Sequence, residues 1–182
     1  TVTVVATDAA KPVFLSAQTK TTTTIAATFS ENLDGTTVNG SGNEFTVAGF
    51  AVSAASETAD GVVTLTVATM PTDATPNVTF TNIDNFKDLA GNQAVTPTTR
   101  TATDGTVPTL SAVHIQSNNG NTAFAKVGDT VMVSFTSSET ISTPAVTIAG
   151  HASVAPTASH PGANDWEATY LMVFGDTEGL IT

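Results

Sequence analysis

The fold of this chain is indicated by one stretch, which begins with DLAGN at 88–92 and ends with DGTVP at 104–108. A near copy of its last part opens the chain, because Asp8 and Asp104 each close an Ala-Thr-Asp tripeptide that a proline follows four residues later. In both places a Thr-rich, strand-like segment ends, and a new predicted strand begins after the proline. The repeat predicts a tandem array of modules, and two modules fit a chain of this length.

The composition excludes several classes of function. The 182 residues include no cysteine, so the chain cannot build a disulfide framework, a thiol nucleophile or a zinc–thiolate cluster. The excess of 16 acidic over 5 basic residues gives a net charge of -11, which repels nucleic-acid phosphates and anionic lipid headgroups. No apolar run is long enough to cross a bilayer. We therefore expect no nucleic-acid partner and no membrane insertion within this segment.

The residue types favour strands over helices. Threonine makes up about a fifth of the chain, and with Val, Ile and Phe it supplies the side chains that suit pleated sheets. No long segment has the apolar periodicity of a helix. Alternating segments bounded by turn signals predict seven strands in the first module, at 13–18, 22–30, 44–47, 50–55, 62–68, 77–83 and 94–101. This pattern predicts an all-β, immunoglobulin-like antiparallel β-sandwich.

The second module repeats the plan with changes. Its strands are predicted at 110–116, 130–137, 144–149, 152–156 and 166–173, with a long turn at 117–125. The sequence stops at Thr182, one or two residues into the sixth strand, so we expect this sandwich to lack its last strand or strands within the chain. The predicted division is 1–8 as the last strand of a preceding module or a donor strand, 9–104 as the first sandwich and 105–182 as the second.

Several motifs make the family resemblance specific. They are TFSE at 28–31, VTLTV at 63–67 and DLAGN in the first module, with AKVGDTV at 125–131 and SETI at 138–141 in the second. With these motifs the chain resembles the Big-type immunoglobulin-like domains that occur in tandem in S-layer and other prokaryotic cell-surface proteins. The resemblance implies an extracellular location and no enzymatic activity.

The resemblance and the composition suggest a structural module of a surface array, such as an S-layer, sheath or filament component, with self-assembly as its role. Two alternatives remain open. One is a stalk repeat of a surface adhesin, and the other is a carbohydrate-binding accessory module of a secreted enzyme. The last would need a row of exposed aromatic side chains, for which the sequence offers Trp166 and Tyr170. No Gly-x-Ser-x-Gly motif indicates a serine hydrolase, and the three histidines lack the spacing of a zinc site.

The number of strands between the loops, which we call strand parity, predicts that acidic residues lie together at one end of the first sandwich. The linker, the loop after the second strand and the loop before the seventh share that end, because antiparallel strands alternate in direction. Oxygen ligands there suit Ca²⁺, although Asp and Asn also occur in such loops simply as turn residues. The candidate ligands are Asp8, Glu31, Asp34, Asp84, Asp88 and Asn92, with Asp104 and Glu139 as the matching pair for the second module.

Two further features concern modification and assembly. The sequons at Asn39 and Asn77 could accept N-linked glycan, and Asn39 is the better candidate because it lies in a predicted loop.

The missing edge of the second sandwich has two explanations. Either the chain is a piece of a longer protein that supplies the strand, or the N-terminal strand of a neighbouring copy fills the edge. The expected partners are therefore copies of the chain or neighbouring immunoglobulin-like domains.

Overall fold

The structure is a computed structural model that describes residues 7–81, 85–154, 157–158 and 163–182. The described part is all-β, which confirms the predicted fold class, and its one helical segment is a single 3-10 turn at Gly35–Thr37. The chain divides after Val107 into two compact units, called unit 1 and unit 2 below. Most of the predicted segment 1–8 lies outside the described residues. No helix among the described residues is long and apolar enough to span a membrane.

Unit 1 contains all seven of the predicted strands. They are β1 Phe14–Thr21, β2 Thr24–Phe29, β3 Phe45–Val47, β4 Val52–Ala59, β5 Val62–Val67, β6 Asn77–Phe80 and β7 Thr98–Thr103.

The pairing of these strands is that of an immunoglobulin-like sandwich. Strands β1, β2, β5 and β4 pair antiparallel in the order A-B-E-D, and β3, β6 and β7 pair antiparallel in the order C-F-G. A short parallel pairing of β1 with β7 joins the two layers, with Ala17 opposite Ala102 and Gln18 opposite Thr103. The linker, the end of β2 and the segment before β7 therefore converge at one end of the unit.

Five phenylalanines fill the space between the two layers of unit 1. The ring centroids of the contacting pairs lie 4.9 to 6.5 Å apart, mostly in tilted or edge-to-face arrangements. Four of the rings come from different strands, so alternation along each strand sends one large side chain into the same core. The rings belong to Phe14, Phe29, Phe45, Phe80 and Phe86.

Several strand limits in unit 1 differ from the prediction, and for two of them the structure shows the reason. Strand β1 continues through Thr19 to Thr21 instead of turning at Thr19, because Thr19 is buried and its hydroxyl hydrogen-bonds Thr103 and Asp104. Strand β7 begins at Thr98 instead of residue 94. Pro97 has no N–H to donate to a sheet, which accounts for the later start.

Unit 2 is built from smaller sheets. Its strands are β8 Leu110–Ser117, β9 Phe124–Ala125, β10 Thr130–Ser137, β11 Val146–Ile148, β12 His151–Val154, β13 Thr157–Ala158, β14 Asp165–Leu171 and β15 Gly179–Leu180. The main sheet has the order β13-β14-β10-β8, and two pairs, β11 with β12 and β15 with β9, complete the described strands. Val131 of β10, Ala168 of β14 and Ile148 of β11 share one small core, so the β11–β12 hairpin packs on the main sheet.

The fourth strand predicted for unit 2 at 152–156 is present as β12, which starts one residue earlier and pairs with β11 through a turn at Ala149 and Gly150, both with positive φ. The short β13, which was not predicted, pairs with β14. The predicted long turn at 117–125 contains β9, which pairs with β15. Such short contacts leave too few alternating residues to be recognised in the sequence.

Candidate functional site

Three carboxylates meet at the end of unit 1 where the chain enters it. Asp8 precedes β1, Glu31 follows β2, and Asp88 lies in the loop before β7, where an isolated bridge from Leu33 to Asp88 draws the two loops together. One oxygen of each carboxylate lies within 4.8 Å of the others. Among the described residues these three are the one set of potential metal ligands that approach so closely. We call Asp8, Glu31 and Asp88 the acidic cluster.

Asp88 is the buried member of the acidic cluster, with 2% of its surface exposed. Its carboxylate accepts hydrogen bonds from the backbone N–H of Asn92 at 2.7 Å and from the Asn92 side-chain amide at 2.8 Å. Burial by itself raises the pKa of Asp88, but these bonds and the N–H groups of Ala90 and Gly91 outweigh it, so the pKa lies below its ordinary value. Asp88 is therefore held in its charged form.

Asn92 also connects the cluster to the linker. Its amide donates to the backbone carbonyl of Asp8 at 3.3 Å, while the Asp8 carboxylate accepts the N–H of Ala10 at 2.9 Å. The turn DLAGN closes around Gly91, which has a positive φ of 94° and donates its N–H to the Asp88 carbonyl at 3.2 Å. The loop before β7 thus holds the chain that enters unit 1.

Glu31 is the member of the acidic cluster whose ionised form is least favoured. Burial, and then the negative charges of Asp8 and Asp88, raise its pKa above the ordinary value. A divalent cation would relieve this repulsion, and carboxylate and amide oxygens are the ligands that Ca²⁺ prefers. The residue types therefore fit calcium, and calcium binding stays a prediction.

The remaining predicted ligands of unit 1 have other partners. Asp34 caps the 3-10 turn and accepts hydrogen bonds from the N–H of Thr36 at 3.1 Å and from its hydroxyl at 2.6 Å. The hydroxyl bond is the main cause that lowers the pKa of Asp34. The backbone N–H of Asp34 donates to the backbone carbonyl of Lys87, the residue before Asp88, at 2.9 Å. Asp84 lies outside the described residues.

Asp104 and Glu139 belong to different units and are not members of the acidic cluster. Asp104 follows β7, at the opposite end of β1, where it accepts the N–H of Thr106 at 3.0 Å and faces the Thr19 hydroxyl at 3.4 Å. Glu139 belongs to unit 2 and has only 5% of its surface exposed. Its carbonyl accepts the Ser137 hydroxyl at 2.6 Å.

The two sequons differ in their surroundings. Asn39 is half-buried, and its side-chain oxygen accepts hydrogen bonds from the N–H of Ser41 at 3.0 Å and from the Ser41 hydroxyl at 2.8 Å. Its own N–H donates to the buried carboxylate of Glu44 at 3.2 Å. Asn77 begins β6, is exposed, and accepts the Thr101 hydroxyl at 2.7 Å. Glycosylation at either position stays a prediction.

Unit 2 contains a polar network that the sequence did not reveal. The carboxylate of Asp176 accepts the Tyr170 hydroxyl at 3.0 Å and the Val173 N–H at 2.7 Å, and it contacts the His151 ring nitrogen at 2.8 Å. The rings of His151 and Tyr170 stack with centroids 4.8 Å apart. The residues come from β12, β14 and the turn after β14, so only the pairing of these strands brings them together. The one sequence signal is Asp176 in a Gly-Asp turn after a strand.

The aromatic residues of unit 2 do not form an exposed row. Trp166 has 9% of its surface exposed, and its Nε1 has no hydrogen-bond partner in the described part of the chain. Tyr170 is half-buried against His151, whereas Phe174 is 96% exposed. A flat sugar-binding platform that uses Trp166 is therefore not present.

Comparisons with known proteins give distant similarities of structure. No family model and no curated protein matches the chain. The chain is similar to the N-terminal part of the bacterial S-layer protein SbsC, at 17% identity and a TM-score of 0.44, over 71% of this chain and 41% of that one. It is also similar to FdeC, an Escherichia coli adhesin, at 15% identity and a TM-score of 0.36, over 90% of this chain and 55% of that one. The matches span about half or less of those proteins.

Proposed function

We propose that this chain is a structural module of an extracellular prokaryotic surface array, in which immunoglobulin-like units follow one another and set the spacing. The observation that carries this proposal is that both units begin with the same hydrogen bonds. In unit 1, Val13 donates its N–H to the Ser30 hydroxyl at 3.0 Å and accepts the Ser30 N–H at 3.0 Å. In unit 2, Thr109 and Ser138 exchange the same two bonds at 3.0 and 2.9 Å.

The turn before each unit is repeated as well. Asp8 accepts the N–H of the residue two positions on at 2.9 Å, and Asp104 accepts the N–H of Thr106 at 3.0 Å. Such Asx turns fix the path of the chain before the proline that restarts it. In an array of interchangeable modules each module must begin with the same local structure, as these two units do.

The composition supports an exposed and crowded setting. Acidic and threonine-rich surfaces remain soluble at high local concentration because like charges repel. The absence of cysteine means that assembly proceeds without disulfides between copies. Calcium bound at the acidic cluster would stiffen the point where the chain enters unit 1, and this stays part of the proposal.

The proposal is tested by labelling intact cells with antibody against unit 1 and imaging the labelled envelope. A continuous lattice or sheath is expected for an array component. Isolated projecting fibrils would instead indicate an adhesin stalk, and label that appears only after cell lysis would overturn both roles. The intact mass of the native protein, compared with 18.4 kDa for these residues, gives the number of further modules.

A further inference from the structure

Strand β4 forms one edge of the seven-stranded sheet of unit 1. Within the described residues it pairs with β5 alone, whereas β5 itself lies between β4 and β2. An edge strand presents unpaired N–H and C=O groups to any strand that can align with it, so folded proteins cover or interrupt such edges. The surroundings of β4 therefore decide whether a second chain can pair with it.

The loop between β2 and β3 lies along the outer edge of β4. The N–H of Ala55 donates to the Gly40 carbonyl at 3.2 Å, so it points away from β5 and into the loop. Nearer to β2, the N–H of Leu33 donates to the Glu57 carboxylate at 3.3 Å. We call residues 35–43 the cover, because they occupy the side of β4 on which a further strand would pair.

A glycine allows the cover to lie this close to β4. Gly42 has a positive φ of 69°, and a Cβ added to it would lie 2.6 Å from the Val52 side chain and 3.3 Å from the Ala54 carbonyl. Real Cβ atoms do not approach other atoms to 2.6 Å, so a side chain at Gly42 would push the cover away from the edge. At Gly40, in contrast, an added Cβ would meet nothing within 4 Å.

The cover is held at its base and only loosely along the strand. Glu44, which precedes β3, has no exposed surface, and its two carboxylate oxygens accept the Asn39 N–H at 3.2 and 3.3 Å. Among the described residues no β-bridge pairs the cover with β4. The cover therefore blocks this edge by occupying space, without the ladder of hydrogen bonds that a paired strand would form.

Under the cover, β4 has a segment that can pair with its own copy. The pairing of β4 with β5 is irregular at 52–54 and 57–59 and regular from Ala54 to Glu57. Backbone groups alternate along a strand, so Glu57 presents its N–H outward as Ala55 does. Two copies can therefore exchange hydrogen bonds antiparallel, Ala55 of each with Glu57 of the other, about a twofold axis at Ser56.

We propose that the cover keeps β4 from pairing with β4 of a second copy of this chain, and that its displacement opens the edge to that copy. The register places no two charged side chains directly opposite each other, because Ala55 faces Glu57 and Ser56 faces its own copy. The inference goes beyond the proposed function, and it holds whether or not the chain belongs to an array.

Sedimentation velocity on the full chain tests the role of the cover. Gly42→Val is expected to dimerise at least about tenfold more tightly than the wild type, because a closed cover lowers the apparent affinity by the fraction of open molecules. Gly40→Ala, in the same loop, is the matched control and should associate like the wild type. Gly42→Ala adds the Cβ alone and serves if the larger side chain prevents folding. Folded Gly42 variants that associate no more than the wild type would overturn the proposal.

A second substitution tests whether β4 is the contact. Ser56 is exposed, so changing it leaves the core of its own unit intact. Adding Ser56→Lys to Gly42→Val places like charges opposite each other at the twofold axis and is expected to return association to the wild-type level. A dimer that persists in this double variant would use another surface and would contradict the proposal.

Cysteine cross-linking tests the register, because the chain has no native cysteine. In the Gly42→Val chain, Ser56→Cys places two thiols on a non-hydrogen-bonded pair whose Cα atoms lie about 4.5 Å apart, within disulfide range. A linked dimer is expected on a non-reducing gel, with a much lower yield when Gly42 is retained. Thr58→Cys separates the two residues by about 14 Å along the strands and should not link. Equal yields with and without Gly42→Val, or equal yields from Ser56→Cys and Thr58→Cys, would overturn the proposal.

Discussion

The side chain of Asn92 donates a hydrogen bond to the backbone carbonyl of Asp8, 3.3 Å away, and so ties the linker to the loop before β7. The same amide donates to Asp88 at 2.8 Å. We expect Asn92→Ala to lower the melting temperature of unit 1 by a few degrees, because it removes a charge-assisted hydrogen bond to a buried carboxylate. Calorimetry measures the change, and Asn32→Ala, at an exposed position, is the control that should melt like the wild type.

Calcium is expected to stabilise unit 1 through the acidic cluster. For dissociation constants of about 0.1 to 1 mM, as in extracellular modules, 10 mM calcium contributes about 1.4 to 2.7 kcal/mol. The melting temperature is measured in calcium and in chelator. Asp8→Asn is expected to remove the difference, and Asp104→Asn, outside the cluster, is expected to retain it. An identical melting temperature with and without calcium would exclude a calcium site here.

The pH dependence of Glu31 has the opposite sign to that of Asp88, whose pKa is lowered. Its pKa is raised from 4.5 by burial and by the charges of Asp8 and Asp88, so its contribution to stability is complete below 4.5 and is lost as the pH rises through the folded-state pKa. In chelator, Glu31→Gln is therefore expected to be more stable than the wild type at neutral pH, with the difference vanishing near about pH 4. In calcium the same variant should lose stability relative to the wild type if the ion binds. Urea unfolding across this pH range checks both results.

The phenylalanine core predicts the largest effect of a single substitution. Phe80 is fully buried and contacts four other rings. We expect Phe80→Ala to cost about 3 to 5 kcal/mol of unfolding free energy, since it removes apolar contacts and leaves a cavity. Leu89→Ala, at 75% exposure, is the matched control with an effect near zero. A loss at Phe80 no larger than at Leu89 would mean that this core is not formed.

Asp176 is expected to stabilise unit 2 in a pH-dependent way. The N–H of Val173, and then the side chain of His151, lower its pKa from 3.8, so its stabilising effect is present above 3.8 and is lost as the pH falls through the folded-state pKa. Asp176→Asn should therefore destabilise unit 2 at neutral pH and matter little in strong acid. The fluorescence of Trp166 reports this, because the only Trp of the chain lies in unit 2. Glu167→Gln, on β14 of the same unit, is the control for charge.

The sequence predicted the number and order of the strands in unit 1, although not all of their limits, because most of them alternate clearly and end at turn residues. Leu65 and Val67, for example, alternate inward on β5 as predicted. The convergence of Asp8, Glu31 and Asp88 also followed from strand parity, which depends only on the number of strands between two loops.

The remaining features depend on contacts between distant residues. The Asp34 carboxylate lies near the predicted site, but a local hydrogen bond with Thr36 determines where it points. The pairing of β9 with β15 joins residues more than fifty positions apart through two-residue strands. No periodicity in so short a segment can predict its partner.

The parallel pairing of β1 with β7 gives unit 1 resistance to tension. A pull transmitted through the chain acts on the N-terminal end of β1 and the C-terminal end of β7, which lie at opposite ends of a parallel pair. The load therefore shears the strands lengthwise, and the bonds between them, including that from Arg100 to the Leu15 carbonyl at 2.8 Å, must break together instead of one after another. A pull on the two ends of unit 1 would therefore meet more resistance than a pull that separates paired strands one bond at a time.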